Sequence, residues 1–400
     1  MITDMTTSPT ANKTKSARIV LAPFGRHTWY MLNSYIRNVL TVTSILLAIG
    51  LTIDLWPQFQ QIAATGSDAF SATLAIARFA LLRTPGIISP LVPFATFIGV
   101  LWAEVAHTQS GERMLIWNSG RSPIQCLAPA LFLGLLLGAT DFTMDAALGP
   151  ASMGIQMRER LGRDGETLDR NTLSKPAWIA LPEGLLKAQI QYGPPPVLHD
   201  VALFRRDLEG RILEVYTAPV AQYENGRWHL LNGQFWQAGS NGGPRFGISG
   251  RQVMQPFDER VVALNLDPLW LSWYNLVPQY IPLPVLAKLA ASDAVPDAHG
   301  QYETRLYVVL AGALLPMGMA LLAASLAMLF LAYGTSAPQL IGIVFGGYMA
   351  HFAIKACLIM GQNGFIPPLF AGFTVPVILF TATGIVLYVC ERQRKRITAG

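Results

Sequence analysis

The sequence lacks the residues and motifs that form disulfide frameworks, metal sites and nucleotide-binding loops. Its three cysteines, Cys126, Cys357 and Cys390, all lie in long apolar runs, so we expect no disulfide framework and no CxxC metal site. No lysine follows a glycine, which excludes the phosphate-binding GxxxxGK(S/T) loop. The hydrolase motifs HExxH and GxSxG are absent as well. We therefore expect no metal, no cofactor bound to this chain and no ATP hydrolysis by it.

Charged residues are also scarce: they make up 13% of the chain, whereas 52% of the residues are hydrophobic. This composition is typical of a membrane protein, in which about 20 apolar residues cross a hydrocarbon core ~30 Å thick. Pro85, Pro90 and Pro93 interrupt one apolar run near its start, which predicts a kinked or partly unwound helix there. Six runs are long enough to span, namely Trp29–Ile53, Phe79–Ala106, Ile124–Leu148, Arg305–Ala332, Pro338–Met360 and Ile366–Cys390.

The net charge of +5 comes mostly from the two ends of the chain. Basic residues beside spans stay on the cytoplasmic side, so the tails 1–28 and 392–400 are both predicted to be cytoplasmic, as an even number of spans requires. These residues are Lys13, Lys15, Arg18 and Arg26 in the first tail, and Arg392, Arg394, Lys395 and Arg396 in the second. The arrangement indicates a cytoplasmic membrane surface and no nucleic-acid partner. The first apolar run is too long for a signal peptide, so we expect it to remain as an anchor.

A long polar insert, residues 150–300, separates three spans within 29–149 from three within 303–391. With both tails inside, the insert is predicted to lie on the far side of the membrane. Its hydrophobic residues alternate with period two, which is typical of half-buried strands, and Asn225-Gly226 fits a tight hairpin turn. The predicted strands are Ala177–Leu181, Leu186–Tyr192, Val201–Arg206, Ile212–Ala218, Val220–Tyr223 and Arg227–Leu231.

Several short strands at this spacing predict an antiparallel sandwich or jellyroll over residues 150–280, followed by a linker over 281–302 with a short helix at 285–292. Aromatic residues in this insert have two interpretations, the lining of an apolar groove or an ordinary sandwich core. The five candidates are Trp178, Phe204, Tyr216, Trp228 and Trp236.

The segment 107–122 between the second and third spans is predicted to be a short cytoplasmic loop. Residues 112–118 fit a short amphipathic helix with Met114, Leu115 and Trp117 as its apolar residues, and Gly120 is a natural helix stop. Two interpretations stay open for these apolar residues: a surface for a partner protein, or a helix at the lipid interface with Trp117 at headgroup level.

The pattern in this loop, an acidic residue, an apolar stretch, then glycine and serine, resembles the coupling segment of the lipopolysaccharide export system permeases (LptF/LptG, or YjgP/YjgQ, type). Glu112, Gly120 and Ser122 stand at those positions. The resemblance covers about residues 30 to 396, through their order and spacing more than any single motif, and the insert is more similar to the G-type subunit, LptG. Further matching segments are the proline-rich second span, Leu148-Gly149-Pro150, Asp200 to Phe204, Tyr223 to Trp228, and Phe365 to Pro368.

The resemblance implies a polytopic α-helical protein of the Gram-negative inner membrane, with six transmembrane helices arranged 3+3 and an inserted all-β periplasmic jellyroll. It implies a heterodimer with the sister F-type permease and a dimer of a cytoplasmic ATPase that binds ATP and Mg²⁺. The substrate would be lipopolysaccharide, taken from the outer leaflet of the inner membrane. It would be passed to a periplasmic bridge protein that has a membrane-anchored adaptor.

The same resemblance suggests which residues contact the ATPase. Glu112 is the first candidate, and Met114, Leu115 and Trp117 would be the apolar anchors, with Glu112 or Arg113 pairing at the rim. A solvated surface carboxylate is the plainer explanation of Glu112.

Ionisable residues in or near the spans are candidates for contacts to lipid A phosphates, since buried charges need partners. Arg78 and Arg83 lie at the outer end of the second span, where arginine suits phosphate oxygens; snorkelling to the interface is the alternative. Arg305 has the same two interpretations. His351 and Lys355 share one face of the fifth span, which predicts a cavity or helix interface there.

Three acidic residues in or near the spans are also singled out. Asp141 and Asp145 share a face of the third span and are placed to pair with a cation such as Lys355. Asp54 departs from the family, many members of which carry basic residues just after the first span.

Two other functions are considered. A membrane scaffold that anchors a periplasmic β-domain would need no ATPase. An intramembrane hydrolase would use Asp141 and Asp145, but aspartyl chemistry normally takes its two acids from separate elements.

Overall fold

The structure, a computed structural model, describes residues 25–118, 121–167, 173–238, 254–295, 299–331 and 334–399. Gly120 of the predicted loop and Lys13, Lys15 and Arg18 of the first tail lie outside the described residues. The side chains of Trp117 and of the basic residues 394–396 also lie outside them.

Helices form most of the described chain, as its long apolar runs predict. Before the strands they are α1 (Arg26–Leu55), α2 (Phe59–Ala63), α3 (Ala69–Ile88), α4 (Val92–Gln109), α5 (Glu112–Asn118), α6 (Pro123–Cys126), α7 (Ala128–Thr143), α8 (Gly149–Glu159) and α9 (Gly162–Thr167). After the strands they are α10 (Pro268–Ser272), α11 (Leu283–Ala290), α12 (His299–Gly312), α13 (Leu315–Phe330), α14 (Ala337–Gln362) and α15 (Pro368–Ala399).

Within the described residues, five helical stretches are long and apolar enough to cross a membrane. A further span results if Gly300–Gly312 and Leu315–Phe330, which meet at a bend of 48°, count as one. Each of the six predicted runs thus has a helical counterpart, but the 3+3 division depends on the bent pair and is not confirmed. In chain order we call them span 1 (Arg26–Ala63), span 2 (Ala69–Gln109), span 3 (Ala128–Glu159), span 4 (the bent pair), span 5 (Ala337–Gln362) and span 6 (Pro368–Gln393).

Prolines act differently in spans 2 and 3. In span 2 a 3₁₀ turn at Ser89–Leu91 separates α3 from α4. In span 3 a π-helical segment, Met144–Leu148, follows α7 and runs directly into α8, whose second residue is Pro150. Span 3 therefore continues to Glu159, and a β-domain starting at residue 150 is predicted too early: the first strand begins at Ala177.

The strands of the insert form one antiparallel sheet in which each strand pairs with the next along the chain. The hairpin at Asn225-Gly226 is confirmed, since these residues have φ of 50° and 82°. The predicted segments 212–218 and 220–223 are one strand, and a further strand follows the hairpin. The described strands are β1 (Ala177–Leu181), β2 (Gly184–Gln191), β3 (Val197–Arg206), β4 (Ile212–Glu224), β5 (Arg227–Gln237) and β6 (Gln255–Val262).

This meander does not confirm the sandwich or jellyroll, which requires two packed sheets. Instead, one face of the single sheet packs against α10, α11 and the chain between them. Its core includes Leu186 and Leu203 from the sheet and Leu271 and Leu289 from the helices, all fully buried. The predicted short helix of the linker is α11.

The spans share a second core, to which α1, α4, α7, α13 and α15 contribute. Gly138 of α7 lies against the bend in span 4: a Cβ there would lie 2.1 Å from the Ala313 carbonyl oxygen. Small residues allow such close approach of membrane helices. We call the end of the bundle that carries α5 the loop end, and the end that carries the sheet the sheet end.

Candidate functional site

The loop between spans 2 and 3 turns sharply into the predicted helix α5. Gly111 separates α4 from α5 with φ of +77°, a conformation that favours glycine, and its N–H donates to the Thr108 carbonyl at 3.2 Å. Helix α5 has the predicted bounds, Glu112–Asn118. After this turn Arg113 faces the bundle, whereas Glu112, Met114 and Leu115 face outward.

Glu112 lies on the outer side of this helix. Its carboxylate accepts a hydrogen bond from the Tyr30 hydroxyl of α1 at 3.1 Å and from His107 Nδ1 at 2.6 Å. The hydrogen bond from His107 lowers the pKa of the Glu112 carboxyl from its ordinary value. Met114 and Leu115 beside it are 60% and 72% exposed. The outer side of α5 therefore presents an oriented carboxylate next to an open apolar patch.

Arg113 lies on the inner side and is buried, so its predicted position at the rim of a partner contact is wrong. Its guanidinium forms an ion pair with Glu104 of α4 and donates to the main-chain carbonyl of Ala327 in the last turn of α13. The Tyr35 hydroxyl of α1 donates to Oε1 of the same Glu104 carboxylate. The helix packs this way because a buried charge needs a counter-charge, and α4 supplies it.

Glu104, Tyr35 and His107 were not singled out from the sequence. One signal was present: Glu104 is the only acidic residue between Phe79 and Ala106, and an ionisable group inside a span calls for a partner.

At the sheet end, Arg83 of α3 joins three other segments. Its Nε and Nη2 donate to the two Asp54 oxygens of α1 at 2.9 and 3.0 Å, and its Nη1 lies 3.1 Å from Asp164 of α9. The Tyr280 hydroxyl, on the linker from the sheet, lies 3.3 Å from Nη1. Asp54, the departure from the family pattern, thus has an internal partner. A phosphate could bind Arg83 only by displacing these carboxylates.

Arg78, the other predicted phosphate ligand on α3, is exposed and pairs with Glu159 at the end of α8 at 2.5 Å. This pair lies at the surface, so the Arg78 side chain can reach solvent anions as well as Glu159.

A partly open cavity of about 100 Å³ lies between spans 2, 3, 4 and 5 at the sheet end, and Arg305, Lys355, Asp141 and Asp145 line it together with Tyr280. Arg305 Nη2 donates to Asp145 at 2.6 Å, so the acid pairs with Arg305 instead of the predicted Lys355. Asp141 Oδ1 and Arg305 Nε are buried without a hydrogen-bond partner among the described residues.

His351 shares the face of α14 with Lys355, as predicted, and its ring packs against Phe94 of α4 with centroids 5.4 Å apart. Both side chains are half-buried. Among the described residues, no group of three histidine, cysteine or carboxylate side chains could hold a metal ion.

The five aromatic candidates of the insert do not share one surface. Trp228 and Tyr216 are buried in the covered face, and Trp228 Nε1 donates to the Leu266 carbonyl at 3.3 Å. Trp178, Phe204 and Trp236 lie on the opposite, open face, where Trp178 and Phe204 stack at 6.1 Å.

The open face carries an apolar row across five strands, because each member is the register partner of the next. The row consists of Ala180, Leu185, Phe204, Val215 and Trp236. Its aromatic members make this face, and not the covered one, the candidate apolar groove.

Comparison with known proteins gives one family. The model of the family described as lipopolysaccharide export system permease LptF/LptG matches residues 29–389. The matched region begins in span 1, ends in span 6 and includes α5 and the whole described sheet. No curated protein matches the chain.

Proposed function

Because this chain belongs to the lipopolysaccharide export permease family LptF/LptG, we propose that it is the G-type permease subunit of an ATP-driven exporter. It is a multi-pass inner-membrane protein and a membrane subunit of a transporter, not itself an enzyme. In the proposal, the loop end is cytoplasmic and the sheet end periplasmic, as the basic tails indicate. Lipopolysaccharide leaves the outer leaflet of the membrane through this subunit.

One observation carries the coupling to ATP: α5 presents Glu112, Met114 and Leu115 outward at the loop end, whereas its other side is fixed to the bundle. An exposed apolar patch beside an oriented charge is typical of a protein-docking surface. In the proposal, a dimer of a cytoplasmic ATPase binds this patch on the present subunit and the matching patch on an F-type sister permease. ATP and Mg²⁺ bind to the ATPase, since this chain has no GxxxxGK(S/T) loop.

The proposed path of the substrate follows the sheet end. Arg305 and Lys355 line the cavity between spans 2, 3, 4 and 5, which supports a contact to lipid A phosphates there. Arg83 is held by two carboxylates, which favours a structural role, whereas Arg78 is exposed and can meet headgroups. The open face of the sheet, with Trp178, Phe204 and Trp236, is proposed to receive acyl chains. A periplasmic bridge protein with its membrane-anchored adaptor takes them up.

The test is made on the docking patch, in the chain co-expressed with the sister permease and the ATPase. Leu115→Asp should lower the amount of co-purified ATPase by about tenfold or more, as expected when an apolar interface anchor is replaced by a charge. Glu112→Lys should leave the protein folded but reduce lipopolysaccharide transport in vesicles.

The matched control is Leu208→Asp, which replaces a leucine that is even more exposed than Leu115 and lies in the turn between β3 and β4. It should leave the co-purified ATPase unchanged. If Leu115→Asp retained the ATPase at the wild-type level, α5 would not be the docking surface. If no ATPase co-purified with the unaltered chain, a scaffold without ATP coupling would be the better function.

A further inference from the structure

We infer that Arg113, Glu104 and Tyr35 form a buried link through which movement of α5 is passed to spans 1, 2 and 4 together. The inference rests on the proposed function, in which the ATPase moves α5. In this role the three side chains are positioning residues, because none of them touches the substrate or the ATPase.

The contacts converge on one point at the loop end of the bundle. Arg113 of α5 pairs with Glu104 of α4 and donates to the Ala327 carbonyl of α13, while Tyr35 of α1 donates to Glu104. Arg113 and Glu104 are buried and Tyr35 is fully so. One guanidinium and one carboxylate thus connect a loop helix of seven residues to three spans.

The chemistry of the link makes it stiff. A buried ion pair separates only if at least one charge is left uncompensated at low dielectric, so Arg113 and Glu104 must move as a unit. Ala327 lies in the last turn of α13, where a cation is favourable, and its carbonyl accepts from the Leu331 N–H at 2.9 Å as well as from Arg113. A planar guanidinium can hold the carboxylate and this carbonyl at once, which the single ammonium of lysine does poorly.

The neighbouring residue Glu112 is held differently, which separates docking from transmission. Its partners are the exposed Tyr30 of span 1 and the buried His107 of span 2, and among the described residues Glu112 forms no hydrogen bond or ion pair with span 4. Loss of contacts on the outer side of α5 should therefore weaken ATPase binding. Loss of contacts on the inner side should leave the ATPase bound but reduce the work it performs.

The experiment uses the full complex of this chain, the sister permease and the ATPase in proteoliposomes that contain lipopolysaccharide. Three quantities are measured: co-purified ATPase, the rate of ATP hydrolysis, and lipopolysaccharide released per ATP hydrolysed. Arg113→Lys keeps a positive charge opposite Glu104 but removes the guanidinium N–H that donates to the Ala327 carbonyl. Tyr35→Phe removes one hydroxyl and keeps the ion pair. Tyr302→Phe is the control, since it also removes a buried tyrosine hydroxyl, but at the sheet end, where Tyr302 accepts from Trp270 at 3.1 Å.

Arg113→Lys should retain the ATPase and its hydrolysis but lower lipopolysaccharide released per ATP by about tenfold, a size typical of coupling between sites. Tyr35→Phe should lower the same ratio by about threefold, as expected for one hydrogen bond, and Tyr302→Phe should leave it unchanged. An unchanged ratio in Tyr35→Phe would overturn the inference, even if Arg113→Lys failed to assemble. If Tyr302→Phe lowered the ratio equally, the effect of Tyr35→Phe would be explained by a loss of general stability and not by the link. Loss of ATPase binding in Leu115→Asp supports the proposed function independently of either result.

Discussion

Ionic junctions hold both ends of the helix bundle, and they differ in how far water reaches them. At the loop end Arg113 pairs with Glu104, whose side chain is 7% exposed. At the sheet end Arg83 pairs with Asp54, whose side chain is 23% exposed. Both arginines join helices that are distant along the chain, but only Arg113 does so away from solvent. The loop end is thus tied by a pair that resists separation, whereas carboxylates at the sheet end can exchange with water or another anion.

A third carboxylate, Glu112, extends this comparison within the loop itself. Its side chain is 38% exposed, although Arg113 next to it is buried. The three acids therefore form a series of increasing exposure, in which removal of the carboxylate should matter less at each step.

The largest effect is expected at the loop end. Glu104→Ala should lower the free energy of unfolding by about 3–5 kcal/mol, because it leaves Arg113 buried without a counter-charge. The measurement is unfolding of the protein by SDS titration from mixed micelles. The double variant Glu104→Leu/Arg113→Met removes both charges and should recover most of the loss. A single-variant loss that persisted in full in the double variant would show that packing, and not charge, dominates at this junction.

The middle effect is expected at the sheet end. Asp54→Ala should lower the free energy of unfolding by about 1–2 kcal/mol, because Arg83 keeps Asp164 and gains access to water. Glu159→Ala, which breaks the exposed pair with Arg78, is the control and should change it by less than about 1 kcal/mol. If Asp54→Ala were as damaging as Glu104→Ala in the same titration, the two junctions would not differ as their exposure indicates.

The smallest effect is a pH dependence at Glu112. Its pKa is lowered in the folded protein by the hydrogen bond from His107, so the carboxylate adds stability above its unfolded pKa of about 4.3. That contribution is lost as pH falls through the lowered folded pKa. Glu112→Gln should therefore unfold slightly earlier than the wild type in SDS titrations at pH 7, with the difference shrinking below about pH 4. If the difference in unfolding between Glu112→Gln and the wild type stayed constant down to pH 3, it would come from the shape of the side chain and not from its charge.

The sequence predicted the observed bounds of α5 but not which of its residues face the bundle. A seven-residue amphipathic segment ended by glycine is recognisable locally, whereas which side meets the bundle depends on helices far along the chain. Arg113 reaches Ala327, 214 residues away. Glu112 or Arg113 was expected to pair with a partner at the loop surface, and of the two only Glu112 lies there.

In the insert, too, the sequence predicted local structure but not contacts between segments that are distant along the chain. Alternating side chains predicted strands, and Asn225-Gly226 predicted the hairpin, because period and positive φ are local properties. The pattern did not decide which face of the sheet is covered. That depended on α10 and α11, which bury Trp228 and Tyr216 and leave Trp178 and Phe204 on the open face.

By itself, the sequence determined that this chain crosses a membrane, where its helices lie and which family it resembles, because apolar length, turn residues and motif order are properties of short segments. Only the tertiary structure decided the partners of its charges: Arg113 with Glu104, Arg83 with Asp54, and Arg305 with Asp145. These pairings form where helices from different parts of the chain exclude water, and a buried charge then pairs with whichever counter-charge the packing brings within reach.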